Sequence, residues 1–322
     1  FSPPQNLLYY FCCGFYNISF TIMVLLLQTK SNPFFLLYMR KIFLLFASVS
    51  IASIGFPQKV SLNLFLGTSN YEGDLQANFF TFTQPGLALG AGLSYQLSDK
   101  VSVRGGLTFA KVSADDKKNP KVYFRNLNFK SSIQEFHVAM EYYLFGTEDV
   151  KLSPYVFAGA AIYHFNPYTK DTSGTTYFLQ PLSTEGQGFY LDRKPYSLTQ
   201  FSIPFGGGIK YALSDNIKLG IEVGLRKLFN DYLDDVSTSY VDPNLLLTNR
   251  GPKALELAFR GAEIDKTATY PVVLTKRGEP KNKDWYYFTG ITLSFRFSAK
   301  GDVGGWDKPG GRKKYKLGCP RS

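Results

Sequence analysis

Eight stretches of this chain alternate apolar and polar residues with a period of two, the spacing of a strand that presents one apolar face. In Lys59–Gly67, Val60, Leu62, Leu64 and Leu66 face away from Ser61 and Asn63. Gly86–Leu97 sets Leu87, Leu89, Ala91, Leu93, Tyr95 and Leu97 against small and polar residues, and Val101–Lys111 carries Arg104 on its polar face. Ser132–Phe145 opposes Phe136, Val138, Met140, Tyr142 and Leu144 to Glu135, His137 and Glu141. Pro154–Phe165 reads as a strand whose two faces the pattern does not distinguish, and Ser197–Leu213 is the sixth stretch. Ile217–Leu228 opposes an Ile/Leu/Val face to Lys218, Glu222 and Arg226; Trp285–Phe297 ends with Arg296 on its polar side.

The connections carry a second pattern. Only "SDK" separates the second and third stretches, "SDN" the sixth and seventh, and "GTEDVKLS" the fourth and fifth. The other connections, Thr68–Pro85, Val112–Ser131, Asn166–Tyr196 and Phe229–Asp284, are long. Strict alternation of short turns with long loops, joining strands that reach the roughly 9–11 residues needed to span a bilayer, predicts an outer-membrane barrel. A soluble sandwich would turn its apolar faces inward and would leave the loop asymmetry without a cause. The predicted fold is therefore all-β: an eight-stranded antiparallel up-and-down transmembrane barrel over residues 56–299, with short periplasmic turns, long extracellular loops and a periplasmic C-terminal tail.

A barrel of eight strands is too narrow for a channel and is filled by side chains. The inward positions include Arg104, Glu135, His137, Glu141, Lys218, Glu222, Arg226 and Arg296, with both signs on neighbouring strands. They are expected to pair within a plugged lumen. Aromatic residues are abundant, 29 Phe and 22 Tyr. Tyr95, Tyr142, Tyr155, Tyr287 and Phe297, near strand ends, are candidates for the interfacial girdles.

Charge and processing signals refine the picture. The formal net charge is +11 over 322 residues. Residues 300–322 hold seven Lys/Arg against Asp302 and Asp307, so the tail alone contributes 7 − 2 = +5. No nucleic-acid-binding motif accompanies this charge, so nucleic acid is not an expected partner. "MRKIFLLFASVSIASIG", residues 39–55, has the positive start, apolar run and small-residue end of a secretory signal peptide. Upstream, the uncharged Leu7–Leu27 is long enough to span a membrane. The preferred reading is that translation starts at Met39 and that residues 1–38 are an over-extended gene start. Cys12 and Cys13 would then be absent from the mature protein, leaving Cys319 alone. In an oxidising periplasm a lone thiol either stays free or bridges to another chain. Arg312, Lys313, Lys314 and Lys316 stand just ahead of it, suited to steering the tail toward an acidic partner.

Candidate chemistry is sparse. His137 and His164 are the only histidines, and no serine-nucleophile or metal-ligand motif surrounds them, so the chain is expected not to be an enzyme and to need no cofactor or metal. Asp231, Asp234 and Asp235 in "DYLDDVSTSYVD" lack the alternate spacing and glycine of a calcium loop and read as turn caps in a solvated loop. The glycine runs Gly105–Gly106 and Gly206–Gly208 lie inside strands, where they permit curvature or close packing.

Several stretches together resemble one family: "LGTSNYEGDL", "RNLNFKSSIQEF", "SPYVFAGAAIYHFNP", "LSTEGQG", "IPFGGGIKY", "DYLDDVSTSYVD" and the closing "KLGCP". Their arrangement is similar to that of PorG-type outer-membrane proteins of the Bacteroidota type IX secretion system, over residues 39–322; residues 1–38 have no counterpart there. The resemblance implies a non-enzymatic outer-membrane barrel in a machine for protein secretion and gliding motility, associated with a periplasmic ring of a lipoprotein and its partner protein. The tail, through Arg312, Lys313, Lys314, Lys316 and a Cys319 disulfide, is the expected docking element, and outer-membrane lipid is the other partner. The alternative is a free-standing barrel that binds external ligands through its long loops, as an adhesin or receptor.

Overall fold

The computed structural model describes residues 59–76, 84–147, 150–190 and 193–297. Eight strands form the wall: β1 (Val60–Glu72), β2 (Gly86–Gln96), β3 (Val101–Asp115), β4 (Asn128–Tyr143), β5 (Leu152–Lys170), β7 (Thr199–Ala212), β8 (Ile217–Leu228) and β9 (Trp285–Arg296). A three-residue strand, β6 (Thr176–Phe178), pairs with the end of β5 outside the wall. Every pairing is antiparallel, and the order β4-β3-β2-β1-β9-β8-β7-β5 closes through a β4–β5 ladder. Closure leaves no unpaired edge, which a sheet in lipid requires.

The outward face is apolar from strand to strand. Leu66, Phe109, Phe136, Ile162, Phe201 and Ile221 all lie exposed on it. A water-soluble protein of this size does not expose such a continuous band, whereas hydrocarbon accepts it without cost. This is the surface of a barrel that spans a membrane with its strands. Among the described residues no helix is long and apolar enough to cross.

Inside, the two halves differ. At the long-loop end, Tyr71, Phe129, Tyr163, Phe165, Tyr286 and Phe288 form one buried cluster. Tyr71 meets Phe129 edge-on at 4.9 Å and Tyr163 meets Tyr286 edge-on at 5.5 Å, while Tyr163 stacks on Phe165 at 5.6 Å. Ala139, Tyr143, Tyr155 and Phe157 pack in the short-turn half. The glycines at 206 and 208 make room first for the β8 backbone, since a Cβ would collide with the carbonyl oxygens of Val223 and Ile221 respectively, and then for these rings. A Cβ on Gly206 would stand 3.0 Å from the tip of Phe157, and one on Gly208 would stand 2.9 Å from the Tyr155 hydroxyl.

Two expectations change here. Tyr155 does not belong to an interfacial girdle, because β5 turns it into the lumen, and Tyr287 is buried. Tyr142 and Phe297 remain exposed near strand ends as expected. The long connection from 229 to 284 also contains two helices, α1 (Pro243–Arg250) and α2 (Pro252–Ala258). Asp242 caps α1 by accepting from the Asn244 N–H at 2.8 Å, Pro243 occupies the first turn, and Gly251, at φ 84°, breaks the two helices apart.

Candidate functional site

Among the described residues, the lumen holds two groups of paired charges. On β3, Arg104 donates to Glu222 of β8 at 2.5 and 2.9 Å and to Glu141 of β4 at 3.0 Å. Glu141 also accepts from Lys210 of β7 at 2.9 Å, and Tyr155 donates to Glu222 at 2.5 Å. Nearer the long loops, Arg226 forms a two-pronged pair with Glu135, both contacts at 3.0 Å, and Tyr286 donates to the same carboxylate at 2.7 Å. The guanidinium groups of Arg104 and Arg226 each lie 4.1 Å from a ring centroid, Phe157 and Phe288 respectively. All of the carboxylates are buried, so each must be matched in place.

Of the expected interior charges, Arg104, Glu141 and Glu222 lie in one group with Lys210, and Glu135 and Arg226 lie in the other. His137 sits 3.3 Å from Glu135, and Arg296 lies apart at the short-turn mouth, bonded to Gln96 at 3.0 Å. His164 projects from the opposite face of the wall, beside Thr199, so the two histidines do not meet. Sequence reading missed Lys210, Tyr143, Tyr155 and Tyr286. The register exposes the signal for Lys210: Ile209 and Tyr211 are exposed to lipid, so the residue between them must point inward.

The long loops build a second buried polar structure. Glu185 accepts from Arg277 at 3.0 Å, from the Ser237 and Thr238 amides at 3.0 and 2.9 Å, and from the Thr238 hydroxyl at 2.6 Å. Asp235, at φ 67°, accepts from Thr184 at 2.5 Å and Tyr196 at 2.7 Å. Arg125 pairs with Asp116 at 2.8 Å and also donates to the Arg277 carbonyl. "LSTEGQG", "DYLDDVSTSYVD" and the first residue of "RNLNFKSSIQEF" therefore fold into one cap. The solvated-loop reading of Asp231, Asp234 and Asp235 is wrong: all three are buried. Hydrogen bonds to one another's loops hold them there, which their spacing along the chain does not reveal.

One part of the cap lacks a counter-ion. Tyr71 donates toward Asp234 at 2.6 Å and Asp284 at 3.0 Å, while Asp231 accepts from Ser237 at 2.7 Å and leaves its other oxygen without a partner. A phenol has one proton for two carboxylates, so the triad needs a second proton on an aspartate. The electrostatics agree. Burial, reinforced by neighbouring carboxylates, pushes Asp234 and Asp284 well above the ordinary range. Burial also raises Asp231 to about 7 and Asp74 and Asp235 to about 6. Among the described residues no group of His, Cys, Asp or Glu is arranged to hold a metal ion.

Comparison with known proteins adds a family. The sequence profile described as a domain of unknown function, DUF6089, matches residues 38–245. The chain belongs to that family. The DUF6089 match takes in seven of the eight wall strands and reaches Leu245 in α1. No curated protein matches in sequence. Among solved structures, Neisserial surface protein A is 10% identical with a TM-score of 0.37, covering 74% of this chain and 97% of its own. OprG from Pseudomonas aeruginosa is 12% identical at 0.35, covering 74% and 97%. Ail of Yersinia pestis, in complex with the heparin analogue sucrose octasulfate, is 9% identical at 0.35, covering 74% and 98%. The fold of this DUF6089 member rests on its own closed pairing, not on these likenesses.

The expected signal peptide at 39–55, residues 1–38 and the tail residues Arg312, Lys313, Lys314, Lys316 and Cys319 lie outside the described residues.

Proposed function

We propose that this protein is a non-enzymatic outer-membrane component of the type IX protein secretion and gliding machinery. In this reading the barrel is an anchor, and the basic periplasmic tail docks a ring built from a lipoprotein and its partner protein. The observation that carries the reading is the filled lumen. Arg104, Arg226, Lys210 and their carboxylates occupy the space that a translocating chain or solute would need, so the barrel can serve the machine only through its surfaces and termini. The motif resemblance and the signal peptide support the location.

Crosslinking the mature protein in cells and isolating it tests the reading. A ring lipoprotein should be recovered with it, together with a higher-mass species on a non-reducing gel that is lost with Cys319→Ser. Isolation of the barrel alone, with no such species, would contradict the docking role.

An alternative is an adhesin or receptor that binds through the loops, favoured by the exposure of Val272 and Leu274, 79% and 58%, on the ordered loop cap. It predicts that replacing the 229–284 loop abolishes surface binding and leaves secretion intact.

A further inference from the structure

The lumen's charges balance everywhere but at one end. Glu135, Glu141 and Glu222 are matched by Arg226, Lys210 and Arg104, with contacts between 2.5 and 3.0 Å. Two further bases, Lys218 and Arg296, line the short-turn mouth, and the acceptors they find are neutral. Lys218 donates to the Thr147 carbonyl at 3.2 Å, and Arg296 donates to the Gln96 amide oxygen at 3.0 Å. Neither takes part in an ion pair among the described residues.

Both side chains line one cavity at that mouth, together with Lys59, Lys210, Ser61 and Ser102. Asp215, on the turn between β7 and β8, also lines it. Asp99, on the turn between β2 and β3, is held by the Thr147 N–H at 2.9 Å. Lys210 is already committed to Glu141, so Lys59, Lys218 and Arg296 face the carboxylates of Asp215 and Asp99, an excess of one positive charge among the described residues. Two half-buried cations side by side repel each other, and a bound anion relieves that repulsion more effectively than water does. Serine hydroxyls around the same space supply neutral donors of the kind that complete an oxyanion's shell. The cavity measures about 30 Å³, room for two or three waters or for one carboxylate head. A helix or an extended chain would not enter.

We propose that the short-turn mouth is a binding site for one small oxyanion, a carboxylate or phosphate group, held by Lys218 and Arg296 with Lys59 at the rim. The site goes beyond the secretion reading and does not depend on it. If the short turns face the periplasm, the oxyanion comes either from the acidic side chain of a periplasmic polypeptide or from a free anion.

The test is titration calorimetry on the refolded barrel in maltoside micelles, which carry no phosphate, at fixed ionic strength in chloride. Inorganic phosphate and a capped glutamate-rich decapeptide are titrated separately. Saturable binding of at least one is expected, weakened about tenfold or more in a Lys218→Met/Arg296→Gln double variant, the loss expected for charge-assisted hydrogen bonds. Heat-modifiable migration on a gel verifies that the variant folds, and Arg296→Gln alone serves if the double variant does not. Phosphate without the peptide assigns a free anion, and the peptide without phosphate assigns a protein side chain. No binding by either, or undiminished binding by a folded variant, overturns the proposal.

Discussion

At the scale of single residues, buried charges must be answered where they stand. Glu135 receives both prongs of Arg226 and the Tyr286 hydroxyl. Arg226→Ala should therefore cost about 3–5 kcal/mol of barrel stability, because it strands a buried carboxylate. An Arg226→Met/Glu135→Gln double variant should recover much of that loss. Urea unfolding in lipid vesicles, followed by gel migration, checks both. The cap aspartates give a prediction of opposite character. Their folded-state values are raised, so the folded cap binds more protons than the unfolded chain does. Their contribution to stability is complete below about pH 4 and is lost as pH rises through about 6–7, where Asp74, Asp235 and Asp231 titrate. Near-ultraviolet circular dichroism melts should show a cap more stable at pH 5 than at pH 8, and Asp231→Asn should reduce that difference without abolishing it. Alternation exposes lumen charges such as Glu222, which sits between outward-facing neighbours; Lys210, between Ile209 and Tyr211, carries the same signal and was missed. The cap carboxylates carry no such signal, because what buries Asp235 is Thr184 and Tyr196, distant in sequence.

Among the elements, the strands and the alternation of turns with loops could be read directly, since lipid on one side forces a period of two. β5 was the exception for a physical reason. Tyr155, Phe157, Tyr163 and Phe165 point inward and Val156 and Ile162 outward, so both faces are apolar and the contrast disappears. The helices α1 and α2 carried the local signals of Asp242-Pro243 and Gly251-Pro252 inside a loop, where strand periodicity gives no guide. The lipid-facing strands make their own prediction. Ile221, 66% exposed on β8, should tolerate leucine, while Ile221→Lys should cost about 2–4 kcal/mol if it lies near the bilayer midplane. The same vesicle unfolding assay measures it.

At the scale of the whole molecule, the described residues combine a closed wall, a lumen crossed by ion pairs and a cap held together by Glu185, Arg277 and Asp235. In the proposed reading the barrel acts through what it holds at its two ends. The most direct test of the anchoring role is secretion of cargo by cells whose only copy lacks residues 310–322. The account predicts that the truncated barrel still reaches the outer membrane and migrates differently boiled and unboiled, while cargo fails to appear outside the cell. Normal secretion from those cells, with the barrel folded and in place, would contradict it.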